Sequence, residues 1–267
     1  MTGERPIGAT AAMLCLLLVV GVFLLAPLAV VAAASLSAGG FLVFPPQGLS
    51  LRWYAEVWAD TRYVQAAWTS LGLATATVVL AVPLGTAAAL ALREDGMLPL
   101  RGLWEFLFLS PLVLPAVVLA IGLLILASNL AGGPSWTMLL AGHVVISLPY
   151  VVRTVTAVLA GIDPATDDAA RVMGASAWQR LILVTLPQAR AGIAAGAVLA
   201  FIVSFDDAVL VLFLRSPTLE TVPLRIYAGL EFSPDPGVAA VSTCLILLAA
   251  LAVGLSDRLL GGRQAVG

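Results

Sequence analysis

The chain has no lysine, a single histidine (His143), two cysteines (Cys15 and Cys244) and few charges of either sign, only 10% of its 267 residues. Soluble domains carry about 25% charged residues, so a soluble globular class is excluded. One histidine and two cysteines inside apolar runs leave no metal-ligand spacing and no disulfide framework. The G-x-x-x-x-G-K-[ST] phosphate loop is missing, as are H-E-x-x-H and any nucleophile paired with a histidine. The chain alone cannot hydrolyse ATP and is not expected to be an enzyme. If a nucleotide drives its work, a separate polypeptide must bind it. The net charge of −2 says little about partners, and nothing calls for nucleic acid.

Hydrophobic residues, in contrast, make up 61% of the chain. Crossing a hydrocarbon core of about 30 Å takes about 20 helical residues. Six uncharged or nearly uncharged stretches meet that length, at about residues 11–34, 66–92, 103–127, 137–160, 190–214 and 238–256. The expected fold is therefore all-α and polytopic, with six transmembrane helices in one domain over residues 1–267. Ala32-Ala33-Ala34-Ser35 looks like a signal cleavage site, but the run before it exceeds the 7–15 residues of a signal h-region. We therefore expect an uncleaved anchor.

Arginine sets the orientation. Six spans put both termini on one side, together with Arg5, Arg93, Arg101, Arg171, Arg180, Arg190, Arg258 and Arg263; Arg52, Arg62, Arg215 and Arg225 fall on the other. Cytoplasmic loops carry the excess of positive charge. Both termini and the loop around residue 168 are thus expected in the cytoplasm. Residues 35–65 include Arg52-Trp53-Tyr54 and Trp58, which suit a short interfacial helix that either anchors to lipid or offers an external partner an edge. Residues 215–237, with Pro217, Pro223, Pro234 and Pro236, form a second external loop or short helix. His143, inside the fourth stretch, reads as a satisfied polar residue between packed helices, although intramembrane ionisable groups are functional candidates.

The cytoplasmic loop at about 161–187 is the most informative segment. Asp163-Pro164 is a helix start, carboxylate cap followed by proline at the first helical position. Asp168-Ala169-Ala170-Arg171 carries a short helix to Met173, and Gly174 can take the left-handed conformation that ends it. Ser176-Ala177-Trp178-Gln179 matches a capping box. A second short helix is expected to follow until Leu186-Pro187 breaks it ahead of the fifth span. Loops between bundled helices are usually short, so two capped helices here favour docking into a partner's groove over a plain polar turn.

These residues give the loop a recognisable form. Asp168-Ala169-Ala170, three residues, Gly174, nine residues and Val184-x-Leu186-Pro187 resemble the "EAA" loop of ABC-importer permeases, with Asp168 for Glu and Val184 for Ile. The resemblance implies a type I importer permease bundle whose residues Asp168, Ala169, Ala170, Gly174, Leu186 and Pro187 couple it to an ATP-binding subunit. It further implies a dimer of such subunits holding ATP and Mg, a homologous second permease, an extracytoplasmic substrate-binding protein and a place in the bacterial inner membrane. This chain itself would bind no cofactor. Leu51-Arg52-Trp53-Tyr54, Gly142-His143 with Leu148-Pro149-Tyr150, Ser204-Phe205-Asp206-Asp207 and Thr221 to Tyr227 resemble the second permease subunit of spermidine/putrescine importers. Permeases for phosphonates, ferric iron, thiamine and sulfate share the loop and form the alternative.

Asp206 and Asp207 are the substrate-side candidates. Two adjacent carboxylates in an apolar span cost about 2.5–3.5 kcal/mol each on insertion scales, so they need a reason. One is attraction of polyamine ammonium groups. The other is structural, a helix–helix hydrogen bond, the cap of a broken helix, or a span that ends early. An ion-coupled secondary transporter or a membrane-embedded enzyme would leave the capped cytoplasmic helix pair without a role.

Overall fold

The structure is a computed structural model that describes residues 7–93, 99–130, 133–214, 219–232 and 234–261, with the side chains of 7–12, 130 and 252–261 left aside. Arg5, Arg215, Pro217 and Arg263 lie outside the described residues. The described chain is α-helical: α1 Ile7–Ser35, α2 Arg52–Ala59, α3 Thr61–Ala91, α4 Arg101–Leu109, α5 Ala116–Leu130, α6 Trp136–Leu159, α7 Pro164–Val172, α8 Ala177–Arg180, α9 Leu186–Asp206, α10 Val209–Leu214, α11 Val222–Phe232 and α12 Pro236–Gly261.

Four described helical stretches are long and apolar enough to cross a bilayer, at Met13–Ser35, Thr61–Ala91, Trp136–Leu159 and Ala177–Asp206. The pair Arg101–Leu112 and Ala116–Asn129 passes the same test jointly, and Pro236–Leu251 is a shorter apolar helix. The set is consistent with six spans, yet two differ from expectation. The stretch 103–127 is not one rod but bends by 101° between its halves. Pro115 explains the bend, because it lacks an amide and disfavours helical geometry at its predecessor, and Leu114 has left the helix there, whereas Pro111 sits inside the tight turn Ser110–Leu112 with Ser110 still helical. The stretch 190–214 is likewise broken, between Asp206 and Val209.

The chain divides into two compact units, residues 64–225 and residues 1–63 with 226–267. In the first, α6 packs along α9 at close range. Their seam is lined by Ala189, Gly192, Gly196 and Ala200 on α9 and Val151 and Val155 on α6, all buried. Small residues let helix backbones approach where lipid supplies no hydrophobic drive. A Cβ on Gly192 would lie 2.7 Å from the Thr154 carbonyl oxygen and one on Gly196 would lie 2.7 Å from Thr154 Oγ1. A second cluster joins Leu73 of α3, Ala120 and Ala127 of α5, Leu139 of α6 and Leu210, Val211 and Leu214 of α10. Buried hydroxyls stitch the unit: Ser204 donates to Thr77 at 3.1 Å, and Ser70 Oγ accepts the Val222 amide at 2.9 Å. His143 is fully buried; its Nδ1 meets the Leu139 carbonyl at 2.9 Å while Nε2 has no partner among the described residues. The expected satisfied histidine is thus satisfied at one nitrogen only.

In the other unit α1 packs against α12, and α12 against α2. Tyr54 of α2 shares a 2.7 Å hydrogen bond with Ser35 at the end of α1.

Candidate functional site

The loop after α6 is ordered by its own side chains. Asp163, extended at φ −65° and ψ 119°, accepts the Ala165 amide at 2.9 Å and Pro164 opens α7. Thr166 adds a hydroxyl bond to the Asp163 carbonyl. Gly174 stands at φ +85°, a conformation glycine takes without steric cost. There the Gly174 amide reaches the Arg171 carbonyl and the Ala175 amide the Ala170 carbonyl, both at 3.0 Å. That pair of bonds is a Schellman closure, so Ala170 and Arg171 lend carbonyls as well as side chains. Ser176 and Gln179 then form a complete capping box, 2.8 and 3.3 Å.

Two features escape the sequence reading. Asp167, the neighbour of Asp168, bonds Arg180 at 3.0 Å and lies 3.8 Å from Arg171, tying α7 to α8 across the glycine bend. A polar residue on a short helix with arginines four and thirteen positions on was the available signal; only the first of those spacings is readable without the fold. The second is the fate of Leu186-Pro187. It does not break the helix. Leu181–Thr185 is a π-helical turn, in which the Leu186 amide bonds the Leu181 carbonyl, and α9 runs on through Pro187. A wider turn removes the clash of the proline ring with the carbonyl four residues back. The side-chain amide of Gln188 donates to the Val184 carbonyl at 3.1 Å.

The bend leaves Val172 and Met173 at its tip 88% and 87% exposed, with Trp178 beside them 69% exposed. Ala169 and Asp168 are exposed and Ala170 half-buried. Behind them lies a cavity of about 610 Å³ whose walls include Asp167, Asp168, Arg171, Arg180 and Arg93, which follows α3. The loop therefore presents an apolar tip on a charged, internally braced base, which suits reception by another protein more than contact with lipid.

Asp206 and Asp207 sit elsewhere in the same unit, where α9 stops. They do not share one role. Asp207, at φ −70° and ψ 119°, leaves the helix, and its Oδ1 accepts the Leu210 amide at 2.7 Å to cap the first turn of α10. Asp206 is the last residue of α9 and is exposed. The expectation of an unbroken 190–214 helix is corrected accordingly: the pair marks a break between two helices. A carboxylate that caps a helix has its reason for being there, whereas Asp206 stands exposed at the end of α9.

Residues 81–265 match the family of binding-protein-dependent transport system inner membrane components. The chain is 34% identical over 210 residues to the spermidine/putrescine transport system permease protein PotC of Escherichia coli (strain K12), covering 78% of each. It is 31% identical over 231 residues to the putrescine transport system permease protein PotI of the same strain, covering 84% of this chain and 82% of that one. Among solved structures it shares the fold of a bacterial ABC transporter involved in import of the acidic polysaccharide alginate, with TM-score 0.73, 15% identity and coverage of 96% and 97%. The MetNI methionine ABC transporter gives TM-score 0.62 at 16% identity, covering 78% of this chain and 97% of that one.

Proposed function

The chain belongs to the family of binding-protein-dependent transport system inner membrane components, and on that premise we propose that it is the transmembrane permease subunit of an ATP-driven ABC importer for polyamines. Residues 1–267 act as one permease domain in the bacterial inner membrane, with both termini and the 161–187 loop in the cytoplasm. Its partners are a pair of ATP-binding subunits, a homologous second permease and an external substrate-binding protein. The observation that carries the coupling role is the braced helix pair around Gly174, with its exposed apolar tip, at the spacing of the family's subunit-gripping loop. Asp168, Ala169, Ala170 and Gly174 form the gripped element; Leu186 and Pro187 join it through the π turn to α9.

A rigid link is what coupling requires. Closure of the ATP-binding subunits moves α7 and α8; the Asp167–Arg180 pair keeps the two from moving separately; α9 carries the displacement toward its far end, at Asp206. Polyamine as substrate rests on the names of the relatives and on chemistry: a dication leaving water needs negative charge to replace its hydration, and Asp206 offers it.

Gly174→Val tests the link. Valine at φ +85° is strained by about 1 kcal/mol or more, while nothing lies within 4 Å of the added Cβ, so the bundle should assemble normally. In the reconstituted complex, ATPase should persist while uptake of radiolabelled spermidine falls at least several-fold. Unchanged coupling removes Gly174 from the mechanism. Failure of the wild-type complex to take up spermidine or putrescine with its own binding protein, while another solute is imported, moves the substrate elsewhere in the family.

A further inference from the structure

The segment joining α1 to α2 is a built scaffold. Ser37 and Leu49 form an antiparallel bridge, the Ser50 amide reaches the Leu36 carbonyl at 2.7 Å, and the Leu42 amide reaches the Pro234 carbonyl at 3.1 Å. Ser37 Oγ accepts the amides of Gly39 and Gln47, both at 3.2 Å. The Gly39 carbonyl accepts from the Trp53 indole and the Arg52 guanidinium, each at 3.2 Å. With these backbone groups satisfied internally, the scaffold turns large apolar side chains outward: Phe41, Phe44 and Leu49 are 74%, 61% and 79% exposed. A water-facing loop rarely carries so contiguous an apolar patch.

Charge and continuity say what covers it. No charged residue occurs from Leu36 to Leu51, so the loop has no charged rim with which to steer or orient a water-soluble partner. It also begins where a lipid-facing helix ends. The 29 residues of α1 make a rod of about 43 Å, against a hydrocarbon core of about 30 Å, long enough for its Ser35 end to reach the headgroup region. Charges return only at Arg52 and Glu56, on α2, beside Trp53 and Tyr54, the mixture that marks a membrane interface.

We infer that the 36–51 loop is an interfacial membrane anchor, seating Phe41, Phe44 and Leu49 among the phospholipid headgroups and upper acyl chains of the outer leaflet. The leaflet rests on the orientation proposed above; the seating rests on the loop itself. Anchored there, the scaffold holds α2 against the bilayer surface through Arg52 and Trp53, as interfacial amphipathic elements do.

Spin labels read this directly. Cys15 and Cys244 are exposed and can be replaced by alanine. Single cysteines are then introduced as Phe41→Cys, Phe44→Cys, Leu49→Cys and Glu56→Cys, all exposed positions where the label displaces nothing packed. The full complex is reconstituted in vesicles of phosphatidylethanolamine and phosphatidylglycerol. Labels at 41, 44 and 49 should collide several-fold more with oxygen than with a water-soluble nickel chelate, relative to the label at 56. Equal access of the chelate to all four overturns the anchor. Chelate access that is lost only when the external binding protein is added also overturns it, and makes the loop a docking edge. The leaflet is read separately, by labelling Glu56→Cys in intact cells with a membrane-impermeant thiol reagent. Labelling supports the outer leaflet; labelling only after permeabilisation overturns that assignment and the orientation under it while leaving the lipid contact measured by the collisions.

Discussion

The long helix that begins at Ala177 is interrupted twice, and the two interruptions differ in kind. At Leu181–Thr185 a proline two residues on is absorbed by a π turn and the helix continues; at Asp207 there is neither proline nor glycine and the helix stops. Proline removes one amide and crowds one carbonyl. A turn wide enough for five-residue bonding meets both demands, and Gln188 covers a carbonyl nearby. Asp207 does something else: its carboxylate gives the amides of a new helix a better partner than the old ladder offers. Within an apolar span, then, a helix ends where freed polar groups find an alternative, and a proline alone does not compel it.

The stretch between the two interruptions is the part held most tightly, and breaking it should have the largest effect. Gly192→Val places a Cβ 2.7 Å from the Thr154 carbonyl and 3.1 Å from Val155 Cα. Backbone cannot yield as a flexible side chain does, so overpacking should cost about 1–3 kcal/mol. The seam between α6 and α9 should open. Thermal unfolding in detergent should show a marked loss of stability, with reduced membrane levels in cells. A wild-type melting profile would mean that α9 is not clamped and that its two ends move independently.

The contrast also explains what could be read from sequence. The caps of α7 and α8 were legible, because Asp163-Pro164, Gly174 and Ser176 with Gln179 act within three or four residues of themselves. The Asp167–Arg180 tie was not, since it depends on how the glycine bend folds one helix onto the other. Pro187 was misread as a stop because the presence of a breaker was visible and its compensation was not. Pro115 carries the opposite error: it stands in an apolar run long enough for a span, and length outweighs a breaker at which the chain does bend by 101°. At Asp206 and Asp207 the residue types announce a special place, but only the fold divides them into a cap and an exposed carboxylate.

That division can be sharpened by pairing two substitutions at each aspartate. Asp207→Ala removes the cap of α10 and should cost about 0.5–2 kcal/mol, whereas Asp207→Asn keeps an oxygen acceptor for the Leu210 amide and should melt near wild type. Asp206→Asn and Asp206→Ala should leave stability alone and reduce polyamine uptake. Unfolding curves beside uptake of labelled putrescine and spermidine decide between the roles. If Asp207→Asn abolishes uptake at normal stability while both Asp206 variants transport normally, the assignments are reversed and the cap is itself the cation site.

The smallest effect is expected at the other interruption. Pro187 is exposed, and if the π turn fully absorbs it, Pro187→Ala should change stability by no more than about 0.5 kcal/mol, the range of ordinary surface substitutions. The consequence would be geometric. With an amide restored at 187, the five-residue bond from Leu186 to Leu181 is no longer required, and closing the bulge to regular α-helix would rotate α8 against α9 by about 100°, the angle of one residue. The tip formed by Val172, Met173 and Trp178 would then point differently, so substrate-stimulated ATPase should drop while melting stays unchanged. A gain of about 3 kcal/mol on substitution, the cost of an uncompensated interior proline, would show that the π turn leaves the strain in place. Pro187 would then be a stop that neighbouring packing overrides, and the two interruptions would differ in degree only.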